Sequence, residues 1–508
     1  MMPAERLDGV TLSRLIPRDA AGRRVPDRPV AGIALDSRAV VPGGAFVALA
    51  GHATHGVRFL DDALAGGAAA VLHDAGDRQW TAAADAQCVA AGATAVPVAG
   101  LAARLGSIAA IFHGEPAGAL ESVTAVTGTD GKTSVTHYVA AMLDDPDAPA
   151  GVLGTLGRGR PGAAQGGGLT TPDAVAVQGA FADLVAQGVQ RVALEASSHG
   201  LAQHRLDGTP IDVAVLTQLG RDHLDYHADA EAYAAAKARL FHWPGLSAAV
   251  LNADDAFGRR LQGEVAGSVR IVTYGRGEAD LTARHVRCEP DGIAFELAAG
   301  AEDARAVRIP LLGEFNVDNV LAAAGALVAL GHGFDDVVSR IGRIRPVPGR
   351  MELFRGQDTP GVVVDYAHNA GALEAALAAL RSHSTGRVWC IFGAGGDRDR
   401  GKRPLMGAAA AAGADGVVVT DDNPRSEDPR AIVADILEGL PRGTEAQVEH
   451  DRGRALERTL AQADPADLIL LAGKGHETTQ TRSDGVHPWS DRDAARRALG
   501  LHDGGDAP

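Results

Sequence analysis

Apolar residues run along this chain in short blocks bounded by turn-forming residues, and the character of the blocks changes twice. Across residues 28–116, runs such as GIALDSRAVVPGGAFVAL (32–49) and AAAVLHD (68–74) alternate with turn signals, which predicts a small mixed α/β unit. The segment HGEPAG (113–118) interrupts that pattern, and LESVTAV (120–126) then predicts a buried strand opening a second unit. From there to about residue 345, the strands SVTAV (122–126), RVALEAS (191–197), IDVAVLTQ (211–218) and AAVLNAD (248–254) are spaced by helical stretches, among them THYVAAML (136–143) and DAEAYAAAKARLF (229–241). Alternation of this kind predicts a largely parallel sheet covered by helices. The segment IRPVPGR (344–350), with two prolines and a glycine, reads as a linker.

Beyond it lies a βαβαβαβ series of Rossmann-like type: VVVDYAH (362–368), ALEAALAALRS (372–382), VWCIFGAGG (388–396), RPLMGAAAAAG (403–413), GVVVTDDNP (416–424), PRAIVADILEGL (429–440) and LILLAGKGHE (468–477). Its polar clusters DYAHN, GAGGDRDRGK, DDNPRSED and GKGHE all follow strand C-termini, the edge at which open parallel sheets bind ligands because adjacent loops diverge there.

Length and charge narrow the function classes. A chain of 508 residues exceeds the roughly 250–300 at which one core stops growing, so about three domains are expected. A formal charge of -16 repels a phosphate backbone, which argues against nucleic acid as a partner but leaves room for a local cationic pocket. The three cysteines, Cys88, Cys288 and Cys390, form no CxxC pair and suit a reducing compartment. Residues 1–18 mix charge with apolar residues, and no stretch of about 18 apolar residues follows. A soluble, cytoplasmic protein with no membrane partner is expected.

The sharpest local signal is TGTDGKTS, Thr127–Ser134, between SVTAV and a helix. A glycine-rich turn before a helix aims backbone N–H groups at an anion, Lys132 supplies a charge for β- and γ-phosphates, and Thr133 offers a hydroxyl to Mg²⁺. An accidental glycine turn would also match, but the strand and helix on its flanks favour a nucleoside triphosphate site. The form is GxxGK[ST]; Val126 stands where GxxxxGK[ST] needs its first glycine. The central unit is therefore expected to be of P-loop ATPase type.

In chain order the sequence also carries LDSRAVVPGGAFVAL (35–49), LTTPD (169–173), LEASSHGL (194–201), RDHLDYH (221–227), AKARLF (236–241), GEFNVDN (313–319), VPGRME (347–352), VDYAH (364–368), GGDRDRGKRP (395–404), DNPR (422–425) and GKGHE (473–477). With TGTDGKTS this ordered set, spread over nearly the whole chain, resembles the Mur ligase family in the order found in its MurE members. The resemblance implies three domains: a UDP-sugar-binding domain at 1–118, an ATP-binding domain at 119–346 and an amino-acid-binding domain at 347–508. It further implies that ATP phosphorylates the D-glutamate carboxylate of UDP-N-acetylmuramoyl-L-alanyl-D-glutamate. The amine of meso-diaminopimelate then attacks that acyl phosphate, in peptidoglycan synthesis and hence cell-wall growth and division.

Residue by residue, the resemblance assigns catalysis to Lys132, His223 and Lys237, and ATP contacts to Gly128, Thr129, Asp130, Gly131, Lys132, Thr133, Ser134, Asn316, Asn319, Arg350, Asp365 and His368. Two magnesium ions would engage Thr133, Glu195, His223 and a carbamylated Lys237. Taken alone, Lys237 on its amphipathic helix would be a solvated lysine. Ser37, Arg38, Thr170, Thr171, Ser197, Gln203 and Arg205 would hold the nucleotide-sugar peptide, and each hydroxyl alone would read as a cap or turn residue. Arg398, Asp422, Asn423, Pro424, Arg425, Gly473 and Glu477 would hold diaminopimelate, with Arg425 meeting the distal carboxylate that lysine lacks. Without the resemblance, Arg425 could instead cap the Pro424 turn or pair with Glu427. A monomer is expected.

The chain departs from the family pattern in three places. Asp130 replaces asparagine, TQLGRDH replaces TNLSRDH, and Asn369, Ala370 and Gly371 replace Thr-Pro-Asp. Three further readings stay open: a related ligase using lysine, ornithine or a different peptide; a non-catalytic ATP-binding scaffold for cell-wall precursors; and zinc on His223 and His227. Zinc is disfavoured because Gln480 stands where HExxH needs histidine, and Arg398 breaks a GxGxxG dinucleotide motif.

Overall fold

The computed structural model describes residues 9–51, 54–220, 222–223, 226–265, 267–300 and 303–501. They divide between two compact units, one drawn from Met1–Thr273 with Gly325–Gly331, the other from Tyr274–Ala324 with His332–Pro508. Both are built on parallel sheets, as the strand and helix alternation predicts.

The first unit begins with four strands, Ile33–Ala34, Ala45–Ala48, Ala70–Asp74 and Thr94–Val98, paired in parallel and in chain order. Because parallel strands are covered on both faces, their side chains feed two cores. Leu12, Leu15, Val47, Leu72 and Ile108 fill one, while Phe46, Leu60, Val71 and Cys88 fill the other.

A second sheet of this unit orders its parallel strands as Ala248–Asn252, Val213–Leu216, Ser122–Thr127, Arg191–Glu195 and Ala150–Gly154, with Gly157–Gly159 antiparallel beyond. Ser122–Thr127 is first in the chain yet lies between its neighbours, so the strand order reverses there. The loop after Thr127 thus stands at the switch point of the sheet, where divergent connections leave space for a ligand. The helix after that loop, Lys132–Leu143, starts a turn earlier than the apolar pattern of THYVAAML predicts, because Gly131 in the left-handed region ends the turn. Asp229 caps the helix Ala230–Ala238, and the chain then tightens into the 3₁₀ turn Arg239–His242.

In the second unit six strands run Glu352–Phe354, Gly361–Asp365, Leu468–Ala472, Val388–Phe392, Gly416–Val419 and Ala446–Val448, all parallel except the first. Leu468–Ala472, last of these in the chain, is fully buried near the centre. Asn369 caps the helix Ala370–His383 by accepting from the Ala372 amide, so this departure from the family keeps a capping side chain. The proline-containing segment read as a linker is packed: Ile344 and Val347 are buried, and a Cβ on Gly349 would strike the Gly475–His476 backbone at 2.2 Å.

One feature absent from the sequence reading is the antiparallel run Leu281–Glu289, Gly292–Ala299 and Arg305–Ile309. Its signal is the two-residue turn Pro290–Asp291 before Gly292, which closes Glu289 onto Gly292. Exposed Arg284 and His285 mask the alternation of the first strand. Among the described residues no helix is long and apolar enough to cross a membrane.

The last helix, Asp491–Ala498, is fastened beneath the sheet by charge. Arg452 donates to both Asp491 carboxylate oxygens at 2.7 Å and to the Ala472 carbonyl at 2.6 Å, and both side chains are almost wholly buried. Asp491→Ala strands the Arg452 cation and should cost about 3–5 kcal/mol in urea unfolding. A loss below about 1 kcal/mol would mean that the pair does not hold this end of the sheet.

Candidate functional site

In the first unit the candidate site grows from Gly128. Its φ of 147° is open to glycine, and a Cβ there would lie 1.7 Å from the Thr217 hydroxyl, so the loop can press against the next strand only without a side chain. This turns the Gly128 carbonyl toward two lysines: Lys132 Nζ donates to it at 2.9 Å and to the Thr129 carbonyl at 2.8 Å, and Lys237 Nζ donates to it at 2.6 Å. Lys237 is 1% exposed and lies 4.5 Å from the Tyr233 ring centroid. Burial, and then the neighbouring Lys132 charge, push its ammonium pKa well below the usual range.

Thr133 and Ser134 occupy the first turn of the helix, and the Thr133 hydroxyl donates to Glu195 at 2.9 Å. Glu195 is buried and also accepts from the Thr155 amide and hydroxyl at 2.8 and 3.1 Å. A buried carboxylate against a hydroxyl is a hard-oxygen donor pair, which suits magnesium better than a soft metal. Thr129 bonds the Tyr233 hydroxyl at 3.0 Å, and Gln218 donates to the Asp130 carboxylate at 2.8 Å.

Five of the residues expected to hold the peptide converge near Glu195. The Thr171 hydroxyl donates to the Glu195 carbonyl and accepts from the Ser197 amide, Thr170 bonds Thr155, and Arg205 reaches the Thr171 carbonyl at 2.6 Å and Gln203 at 2.6 Å. Beside them a cavity of about 220 Å³ is lined by Leu153, Gly154, Leu169 and Asp173. Ser37 and Arg38 belong to the other sheet, on the turn after Ile33–Ala34, where Arg38 clasps Asp36 and holds its carboxyl down at about 2.

Arg221, Leu224 and Asp225 lie outside the described residues. His223 has a left-handed φ of 53°, unlike a residue inside a helix, while the His227 amide donates to its carbonyl at 3.0 Å. Among the described residues no group of three or more His, Cys, Asp or Glu is arranged to hold a metal. Sequence reasoning missed His199, from SSHGL, whose ring packs 4.7 Å from His223 and 4.1 Å from Tyr226. The quoted motif contained it, but nothing in its spacing gave it a role.

In the second unit Asn316 and Asn319 are buried and bonded to each other at 2.9 Å, with Asn316 also donating to the Leu312 carbonyl. Asp365 accepts from the Met351 and Ala367 amides, Arg350 stacks on Tyr366 at 4.6 Å, and the His368 carbonyl receives Lys402 Nζ at 2.9 Å. Burial raises the Asp365 carboxyl, against the opposing Arg350 charge.

The expected amino-acid residues form a second cluster. Lys474, 0% exposed, donates to Asn423 at 3.1 Å and Glu477 at 2.9 Å, and its ammonium lies 3.7 Å from Asp422. Asn423 in turn donates to Glu477 at 3.0 Å. Burial raises the Asp422 carboxyl; at Glu477 burial acts the same way but the Lys474 and Asn423 bonds outweigh it and lower the pKa. Gly473, with φ 115°, lies close to Asp422. Arg425, on a left-handed backbone after Pro424, donates to the Gly396 carbonyl at 2.6 Å, and a Cβ on Gly395 would touch both Arg425 and Arg398.

The alternative partner for Arg425, Glu427, is taken by Arg403. That guanidinium is 0% exposed, binds both Glu427 oxygens and Asp435, and holds the Glu427 carboxyl at about 2. A cavity of about 530 Å³ opens beside Arg425, lined also by Asp421, Glu427, His450 and Arg482. Lys474 and Arg403 stood within quoted motifs without an assignment; burial of a cation, invisible in sequence, is what marks them. Lys474→Met takes from Asp422 the stronger of its two neighbouring cations and from Glu477 its ion-pair partner, and should destabilise the second unit by about 3 kcal/mol in chemical unfolding. An unchanged midpoint would contradict this pairing.

Three family models match successive parts of the chain: the Mur ligase family, catalytic domain at residues 29–113, the Mur ligase middle domain at 126–327, and the Mur ligase glutamate ligase domain at 349–475. A UDP-N-acetylmuramoyl-L-alanyl-D-glutamate--2,6-diaminopimelate ligase of Alkalilimnicola ehrlichii is 50% identical over 482 residues, covering 94% of this chain and 96% of that protein. A solved structure of an enzyme of the same name is similar at TM-score 0.70 and 35% identity, covering 97% of this chain and 99% of the other. MurF ligase from Thermotoga maritima, solved in complex with ADP, shares the fold at TM-score 0.60 and 18% identity over 96% and 97% of the two chains. With three of its family models matched in order along the chain and a relative 50% identical over nearly its whole length, the chain belongs to the Mur ligase family.

Proposed function

We propose that this chain joins meso-diaminopimelate to the D-glutamate of UDP-N-acetylmuramoyl-L-alanyl-D-glutamate at the expense of ATP, in the cytoplasm, as a step of peptidoglycan precursor synthesis. The name carried by relatives of up to 50% identity supports the substrate pair. The observation that carries the chemistry is the meeting of Lys132, Thr133, Glu195 and buried Lys237 around one glycine-rich turn. A glutamate carboxylate oxygen attacks the γ-phosphorus and ADP leaves; the amine then attacks the acyl carbon, phosphate departs, and the amine loses a proton. Both steps need cationic donors fixed in advance around phosphoryl oxygens, and Lys132 with the loop amides supplies them.

Magnesium ions, two on this reading, would be held by Thr133, Glu195, His223 and carbamylated Lys237, and would neutralise charge on the transferring phosphoryl group. Carbamylation suits the surroundings of Lys237. Two ammonium groups on one carbonyl repel, and burial favours the neutral amine, which adds CO₂ through a new C–N bond with release of a proton. The resulting anion would attract Lys132 rather than repel it.

Nucleotide contacts would come from Gly128 to Ser134, with Asn316, Asn319, Arg350, Asp365 and His368 on the adenosine side. Ser37 and Arg38 would take the uridine end of the sugar nucleotide, and Thr170, Thr171, Ser197, Gln203 and Arg205 the muramoyl peptide. Arg425, with Arg398, Asp422, Asn423, Pro424, Gly473 and Glu477, would select diaminopimelate. The three tasks fall to a monomer divided at residues 118 and 346.

The test offers meso-diaminopimelate, lysine and ornithine with ATP and the nucleotide dipeptide, and weighs the product by mass spectrometry. Phosphate should appear only with both acceptor and correct amine present, and diaminopimelate should be preferred. Arg425→Ala should lower kcat/KM for diaminopimelate by about a hundredfold, since a carboxylate would lose its charged partner. A variant that keeps the original preference would remove Arg425 from the specificity account, and nucleotide binding without any phosphate release would replace the ligase with a scaffold.

A further inference from the structure

Two of the places where this chain departs from the family pattern meet in space. Asp130 lies in the phosphate loop and Gln218 in the TQLG segment after Val213–Leu216, 88 residues away, yet Gln218 Nε2 donates to Asp130 Oδ2 at 2.8 Å. Other bonds already fix the two segments to each other. The Thr129 amide donates to the Gln218 carbonyl at 2.8 Å, the Gly220 amide to the Thr129 hydroxyl at 2.8 Å, and the Thr217 hydroxyl to the Asp130 carbonyl at 2.6 Å. None of these three uses the Gln218 side chain. What its amide touches is the Asp130 carboxylate.

That carboxylate stands immediately before Gly131 and Lys132, where the opening N–H groups of a helix face an anion. A negative side chain at this place repels a triphosphate, a cost that asparagine does not bring. An N–H donor on Oδ2 disperses part of the charge and ties the group to the 217–220 segment. With its backbone fixed by the Thr129 bond, an asparagine at 218 would be one methylene short of the same oxygen.

We propose that Gln218 is a positioning residue for the nucleotide, acting through Asp130: its amide holds the carboxylate to the 217–220 segment, so that the triphosphate meets Lys132 and the loop amides. The role rests on the reading of Thr127–Ser134 as the ATP site.

A double-mutant cycle tests it, with steady-state kinetics in ATP and calorimetric binding of the β,γ-imido analogue of ATP with magnesium for wild type, Q218A, D130N and Q218A/D130N. Q218A should raise the KM for ATP and the Kd of the analogue about fivefold, with kcat within about twofold of wild type. Q218E, which sets two carboxylates together, should raise them further. In the D130N background the effects of Q218A on KM and Kd should vanish, since no charge at 130 is left to restrain. Equal defects in the two backgrounds, or a wild-type KM in Q218A, would overturn the proposal. Failure of the wild type to bind the analogue would instead overturn the ATP-site reading beneath it.

Discussion

A single carbonyl oxygen, that of Gly128, receives both Lys132 and Lys237, and that convergence follows from the organisation of the first unit. Because Gly128 has no side chain, the loop lies against Thr217, and because Ser122–Thr127 sits between Val213–Leu216 and Arg191–Glu195, the turn emerges at the switch point of the sheet. Lys237 comes from the capped helix Ala230–Ala238 and is buried there beside another cation. A buried ammonium facing a like charge is an unfavourable resting state, relieved by an anion or by loss of charge. On the function proposed above, a bound nucleotide would bring the first remedy and carbamylation of the amine the second.

The second unit solves a different problem with the same means. Loops that carry Asp422, Asn423, Arg425 and Glu477 leave the strand ends, where backbone bonds such as the Arg425 amide to the Thr481 carbonyl leave the charged side chains still to be tied down. Buried cations do so: Lys474 beneath Asn423 and Glu477, Arg403 beneath Glu427 and the Gly395 carbonyl, and Arg452 beneath the Ala472 carbonyl. With Glu427 occupied in this way, Arg425 donates to a backbone carbonyl, a neutral partner that a carboxylate, on the function proposed above, would displace.

Much of this was legible in the sequence where pattern and chemistry coincide. The parallel strands appear as apolar runs because they are buried on both faces, and TGTDGKTS marks itself as a glycine turn between a strand and a helix, which is where the fold has it. The antiparallel run from Leu281 to Ile309 was not legible, since exposed arginine and histidine interrupt its alternation. Lys474, Arg403 and His199 were also hidden, because a lysine that will be buried is written like one that faces water. Likewise Asp130 and Gln218 read as two separate departures; only folding makes them partners.

The central claim is that a carboxylate of the acceptor is activated by the γ-phosphoryl group bound at the Lys132 loop. Its most direct test is the fate of oxygen in a single turnover with acceptor labelled with ¹⁸O in the D-glutamate carboxylate. Phosphate carrying one ¹⁸O atom from that carboxylate, formed together with the amide, is the predicted result; phosphate without the label would contradict activation through an acyl phosphate.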